Sequence, residues 1–214
     1  MQSAICLLIV AAGAISAAPA AEEGFEPLID GKSLAGWEGD TKVFRVEEGA
    51  IVAGSRSEKI PHNEFLASKE EFADFELRLK ARLVGKGQNA GIQFRSQRVK
   101  DHFEMIGYQC DMGFAAEKPI WGALYDESRR RKFLAEPDAG KLKAVLKADD
   151  WNDLVIRCEG PRIQIWVNGC STVDYSEADN GIPLRGRFGL QIHGGDPAEA
   201  AYKDIRIKRL GESK

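Results

Sequence analysis

The stretch Phe75-Glu-Leu-Arg-Leu-Lys-Ala-Arg-Leu83 sets the period of the chain. Phe75, Leu77, Leu79, Ala81 and Leu83 alternate with Glu76, Arg78, Lys80 and Arg82. An apolar side chain at every second position places one face in a core and the other in water, the mark of a half-buried strand. The alternation recurs in Ala90-Gly-Ile-Gln-Phe-Arg95, where Ile92 and Phe94 oppose Gln93 and Arg95. Leu154-Val-Ile-Arg-Cys158 and Ile163-Gln-Ile-Trp-Val167 flank Glu159-Gly160-Pro161-Arg162, which reads as a hairpin turn, and Asn168-Gly169 is a second turn signal. Arg187 to His193 and Tyr202 to Leu210 add two more strands. Helical spacing occurs only near Ala139 to Lys147, where Leu142, Val145 and Leu146 share a face. Many alternating strands separated by turns predict an all-β sandwich of two antiparallel sheets, with at most one or two short helices. Its expected core includes Trp37, Phe75, Leu77, Ile92, Phe94, Ile156, Ile165, Leu190 and Ile192.

Composition narrows the class. The 214 residues are 43% hydrophobic and 29% charged, which fits a globular protein and excludes a collagen, a coiled coil or a disordered tail. Lys+Arg is 30 and Asp+Glu is 33, a net charge of −3, so nucleic acid is not an expected partner. Residues 1 to 21 carry no charged side chain. Ile5 to Val10 is apolar, and Ala18-Pro19-Ala20 has the small-x-small form of a signal peptidase site. The expectation is a signal peptide over 1–20, a mature chain from near Ala21, and a secreted or periplasmic protein without a membrane span. The alternative is an uncleaved N-terminal anchor. No composition break or repeat divides the rest, so residues 24–211 read as one domain. Cys110, Cys158 and Cys170 remain after cleavage, and an odd count allows at most one disulfide. Each lies in an apolar stretch, as small buried residues do.

Strand parity sorts the candidate site residues. Asn89, Gln93 and Arg95 share one face of their strand, and Gln109 and Asp111 share one face of theirs. Gln191 and His193 point together, away from Leu190 and Ile192. With Leu124 facing the core, Trp121 and Tyr125 face outward, and Glu127 follows if the strand persists. Asp126 then points the other way. Arg129-Arg130-Arg131-Lys132 reads as a solvated loop or as a basic arm over a cleft. His62 and His102 stand in loop-like contexts. An outward sheet face is polar by default, but a merely solvated strand favours Lys, Glu and Thr over Asn, Gln, His and Trp.

Nine segments in order resemble the 3-keto-disaccharide hydrolase family, a concanavalin A-like jelly roll common in secreted bacterial proteins. They are Pro27-Leu-Ile-Asp-Gly-Lys-Ser-Leu-Ala-Gly-Trp37, Glu47-Glu-Gly-Ala-Ile51, Phe72-Ala-Asp-Phe-Glu-Leu77 and Asn89-Ala-Gly-Ile-Gln-Phe-Arg95. Gly107-Tyr-Gln-Cys-Asp111, Gly122-Ala-Leu-Tyr125, Trp151-Asn152 with Val167-Asn-Gly169, Gly189-Leu-Gln-Ile-His193 and Tyr202-Lys-Asp-Ile-Arg-Ile207 complete the series. Ala90 replaces the Ser usual at its position.

The resemblance implies that the polar faces gather on one concave sheet and form a sugar cleft. It also implies a reaction. A sugar oxidised at C3 has an acidic hydrogen at C2; a base removes it, the C1–O bond breaks by β-elimination, and water adds to the 2-hydroxyglycal. His193 or Asp111 is the expected base. Arg95 or a divalent cation is the expected electrophile at the C3 oxygen. Asn89, Gln93, Gln109, Trp121, Tyr125, Glu127 and Gln191 are the expected sugar contacts. The E-x-D-x-x-E signature of laminarinase-like glucanases, which share the fold, is absent. Two other readings stay open: a non-catalytic carbohydrate-binding module using the same cleft, and a structural or adhesive surface domain.

Overall fold

The computed structural model describes residues 24–211; the expected signal peptide lies outside them. In chain order the strands are β1 (Glu26–Pro27), β2 (Trp37–Glu38), β3 (Phe44–Glu47), β4 (Ala50–Ser55), β5 (Glu64–Phe72), β6 (Phe75–Gly85), β7 (Asn89–Arg98) and β8 (Met105–Ala115). Then come β9 (Lys118–Pro119), β10 (Leu124–Glu127), β11 (Phe133–Ala135), helix α1 (Ala139–Val145), β12 (Asn152–Glu159), β13 (Arg162–Val167), β14 (Cys170–Ser176), β15 (Gly186–Ile192) and β16 (Ala198–Arg209). Two antiparallel sheets result. The first runs β14-β13-β12-β6-β16-β4-β3, with β1 beside β16. The second runs β11-β10-β8-β7-β15-β5-β2, with β9 beside β8. This is the jelly-roll sandwich that the period-two pattern predicts.

The alternating residues do what their spacing dictates. In β6 each apolar residue from Phe75 to Leu83 is buried and each charged one is half-buried. The inner faces meet in one large cluster holding all nine of the expected core residues. Phe75, Phe94 and Phe188 pack edge to face across the sheets, with ring centroids 4.8 and 6.4 Å apart. The three cysteines are free thiols; Cys110 and Cys158 are buried among these side chains, and Cys170 is half-buried. The one helix among the described residues starts at Asp138, whose carboxylate accepts from the Lys141 amide at 2.9 Å, and it buries Leu142.

One side chain bridges the first sheet to the second by hydrogen bonds beneath the candidate site. Tyr202 of β16 is fully buried, and its hydroxyl reaches the backbone carbonyls of Gln191 (2.5 Å) and Gly91 (3.2 Å). Those carbonyls lie on adjacent strands at paired positions, Gln191 opposite Gly91. The β7–β15 register is thus fixed where the polar side chains emerge.

Candidate active site

The second sheet presents its polar row on the outer face. Cross-strand pairs Gly91–Asp111, Gln191–Gly91, Gln93–Gln109 and Gln109–Tyr125 set the neighbours on that face. The Asn89 carbonyl accepts from the His193 amide at 3.1 Å, which adds the end of β15 to the group. Asn89, Gln109, Asp111, Tyr125, Glu127 and His193 line one pocket of about 230 Å³. Gln191 lies at its floor, fully buried.

Hydrogen bonds link the floor into a chain. The Gln109 amide Nε2 donates to Asp111 Oδ1 at 2.7 Å and to Gln191 Oε1 at 3.2 Å. Gln191 Nε2 reaches Glu127 Oε2 at 3.5 Å. Two carboxyls are therefore joined through two amides. Gln109 Oε1 is buried without a donor. A buried acceptor left unmade is costly, and a hydroxyl brought into the pocket would satisfy it.

The electrostatics follow from burial. Asp111 is 5% exposed and no cation offsets its charge, so desolvation pushes its pKa up to about 8. The Gln109 hydrogen bond works against this rise and the Glu127 charge adds to it. Asp111 is thus a neutral acid at pH 7. Glu127 is raised as well, first by burial and then by the Glu104 charge. Burial and the neighbouring carboxylates also raise the Tyr125 phenol, which stays a hydrogen-bond donor. His193 Nδ1 lies 2.6 Å from the Gly194 carbonyl. A carbonyl only accepts, so Nδ1 carries a proton, and the tautomer this contact selects leaves the lone pair on Nε2.

Three expected members are elsewhere. Arg95 does not reach the pocket. β7 bulges after Phe94: Phe94 pairs with Tyr108 and Gln97 with Ile106, so two residues oppose Gly107. Arg95 takes φ 48° in that bulge and leaves the outer face. Its side chain is fully buried, donating to the Ala73 carbonyl (2.9 Å), the Gly160 carbonyl (2.7 Å) and Asp74 (2.8 Å). Trp121 is a core residue, 4% exposed. It precedes β10, and a turn at Gly122 (φ 74°) breaks the parity that would aim it outward. Gln93 stays on the outer face but is covered: its Nε2 approaches the Met105 carbonyl at 3.4 Å, and Met105 packs with Phe65 and Ala67 over that half of the sheet.

The acidic pair and the basic run separate as parity requires. Glu127 lines the pocket, while Asp126 is fully buried and is bound by Arg129 and Arg130. Arg130 also grips Glu177 at 2.6 Å, and the Tyr108 hydroxyl donates to the same Glu177 oxygen at 2.6 Å. These arginines hold the fold and do not arch over the cleft. Residues that parity missed are the pocket's apolar walls, among them Ile120, Phe114 and Phe133, the last edge-on to Tyr125 at 5.1 Å. β11 is only three residues long, too short for a period to show. Among the described residues no three His, Cys, Asp or Glu side chains are grouped to hold a metal ion.

Fold and pocket together define a concanavalin-like jelly roll with a compact polar site on the outer face of one sheet. Residues 24–208 match the family described as the 3-keto-alpha-glucoside-1,2-lyase-like domain, and the chain belongs to that family of carbohydrate-active proteins. No curated protein matches the chain by sequence. Solved structures share the fold. A Parabacteroides distasonis protein provisionally named a glycosyl hydrolase is 19% identical with a TM-score of 0.64, over 88% of this chain and 94% of its own. The carbohydrate binding module CBM66 from Bacillus subtilis is 16% identical with a TM-score of 0.60, over 80% of this chain and 94% of its own. SCLam, a non-specific endo-β-1,3(4)-glucanase from family GH16, is 13% identical with a TM-score of 0.56, over 88% and 93%.

Proposed function

We propose that the protein cleaves 3-keto-glycosides by C2 proton abstraction and β-elimination, followed by hydration. The observation that carries this reading is a neutral carboxyl and a basic imidazole nitrogen in one pocket: Asp111, raised to about 8, and His193, whose Nδ1 proton is committed to Gly194. His193 Nε2 takes the C2 proton. The C–H electron pair forms the C1–C2 double bond, and the C1–O bond breaks. Asp111, protonated, donates a hydrogen bond to the C3 oxygen where enolate charge develops, the task that Arg95 is placed too far away to perform. Glu127, raised by burial, supplies the proton to the departing oxygen. Water then adds across the double bond, restoring the C2 hydrogen and giving C1 its hydroxyl. The unpartnered Gln109 Oε1 accepts from a sugar hydroxyl. In this reading the protein acts outside the cytoplasm, after removal of residues 1–20.

The test is incubation of the purified protein with 3-keto-trehalose, following glucose release. Release that stops in His193→Ala supports the reading. Saturable binding of the 3-keto-sugar with no release overturns it in favour of a binding module, a role for which the fold of CBM66 offers a precedent.

A further inference from the structure

The first sheet carries a second groove on its own outer face, on the opposite side of the sandwich from Asp111. Its volume is about 460 Å³. The register places Arg45, Val52, Ala201 and Arg82 in one row across β3, β4, β16 and β6. Outward sheet faces ordinarily carry long polar side chains. Here the middle of the row is small and apolar, and Val52, Ala201 and neighbouring Ala50 form a trough with Trp151 packed at its edge.

The walls of this trough differ in charge. On one side Arg45 holds Glu47 (2.5 Å) and Glu199 (3.0 Å). On the other, two cations share one indole: the Arg82 guanidinium lies 4.9 Å and the Lys203 ammonium 4.1 Å from the Trp151 ring centroid. Among the described residues neither has a carboxylate partner. The Arg82 Nε is also shielded from water and has no acceptor. An exposed cation without a partner costs little, but a buried N–H without an acceptor does cost. The groove thus offers an apolar floor, an aromatic edge, carboxylates able to accept from hydroxyls, and a guanidinium short of one acceptor beside an ammonium.

We infer that this groove binds a uronic acid residue of an acidic glycan. The carboxylate sits between Arg82 and Lys203, where the planar guanidinium can take it through two parallel hydrogen bonds. The ring lies over the Val52–Ala201 floor against Trp151, and its hydroxyls face the glutamate wall. The site is independent of the lyase reading.

The experiment is a calorimetric titration at low salt with methyl β-D-glucuronoside, methyl β-D-glucoside and sodium acetate, with Trp fluorescence as a second signal. The glucuronoside should bind at least about tenfold more tightly than the other two, the scale of a charge-assisted hydrogen bond. Arg82→Gln and Lys203→Gln should each weaken it by about tenfold or more, and Asp111→Asn should not change it. Equal affinity for glucoside, equal affinity for acetate, or unchanged binding in both cation variants overturns the inference. So does loss of binding in Asp111→Asn, which would place the sugar in the other pocket. Should Arg82→Gln fail to fold, Lys203→Gln alone decides the question.

Discussion

Gln109 lies directly over Gly91 of the neighbouring strand, with no room for a side chain between them. A Cβ at Gly91 would fall 2.7 Å from both Cγ and Cδ of Gln109. The amide that holds Asp111 and Gln191 is therefore set in place by a missing methyl group. Gly91→Ala should push Gln109 aside and loosen the carboxyl it bonds. Because φ at Gly91 is not in the left-handed region, the backbone accepts alanine, but moving the buried Gln109 amide off its partners should cost about 1–3 kcal/mol. Turnover of 3-keto-glycosides should drop by about 10²-fold, the cost of a small misplacement at a reacting centre. A folded Gly91→Ala protein with wild-type kcat would show that Gln109 does not position the site.

His193→Ala should lower kcat by about 10²- to 10⁴-fold if Nε2 removes the C2 proton, the range for losing a general base. The ring is half-buried and its hydrogen bond is with the next residue's carbonyl, so the melting temperature should barely move. Steady-state kinetics beside a thermal melt measures both. Wild-type turnover in the variant would remove His193 from the mechanism.

Arg95→Ala should do the reverse. Removing the guanidinium strips donors from the Ala73 and Gly160 carbonyls and from Asp74, which join the β5–β6 and β12–β13 turns at one end of the sandwich. The loss should be about 3 kcal/mol by urea unfolding, since a buried charged donor leaves its partners unpaired. The kcat of the folded fraction should not change. A selective fall in kcat with unchanged stability would return Arg95 to the site.

Much of the pocket was readable because parity is a local property of a straight strand. Gln109 with Asp111, and Gln191 with His193, need only period two and a known core neighbour. Parity failed where the backbone departs from it. The bulge at Arg95 and the turn at Gly122 each reverse the face of a side chain, and neither Ser96 opposite Gly107 nor Gly122 announces this in the sequence. Gln93 shows a different limit: parity gives its face, but the Met105 cover comes from a hairpin folding back, which no single strand encodes. A strand-enclosed Asp111 already points to a raised pKa, but how far it rises is beyond the sequence, because that depends on burial and on the absence of a cation in space. Arg95 is only two residues beyond Gln93, yet it turns away.

The state of that carboxyl can be tested by stability alone. Asp111 has an ordinary pKa of 3.8 and a folded pKa of about 8. Between those values the folded chain keeps a proton that the unfolded chain has released. Stability must then fall as pH rises through this window, by about 1.4 kcal/mol per pH unit at most from this one group. Asparagine has the same shape, can accept from Gln109 through its own carbonyl oxygen, and does not titrate. Asp111→Asn should therefore match the wild type near pH 4, gain on it steadily to pH 8, and hold a constant lead of several kcal/mol above that. Urea unfolding at pH 4, 6, 8 and 9 measures the gap. The activity of the same variant adds a second readout, because an asparagine amide still donates a hydrogen bond to a C3 oxygen while alanine does not, so Asp111→Asn should keep more turnover than Asp111→Ala. A stability gap that stays flat from pH 4 to pH 8 would mean that Asp111 is ionised in the folded protein at neutral pH, and the role of neutral donor would have to pass to another group.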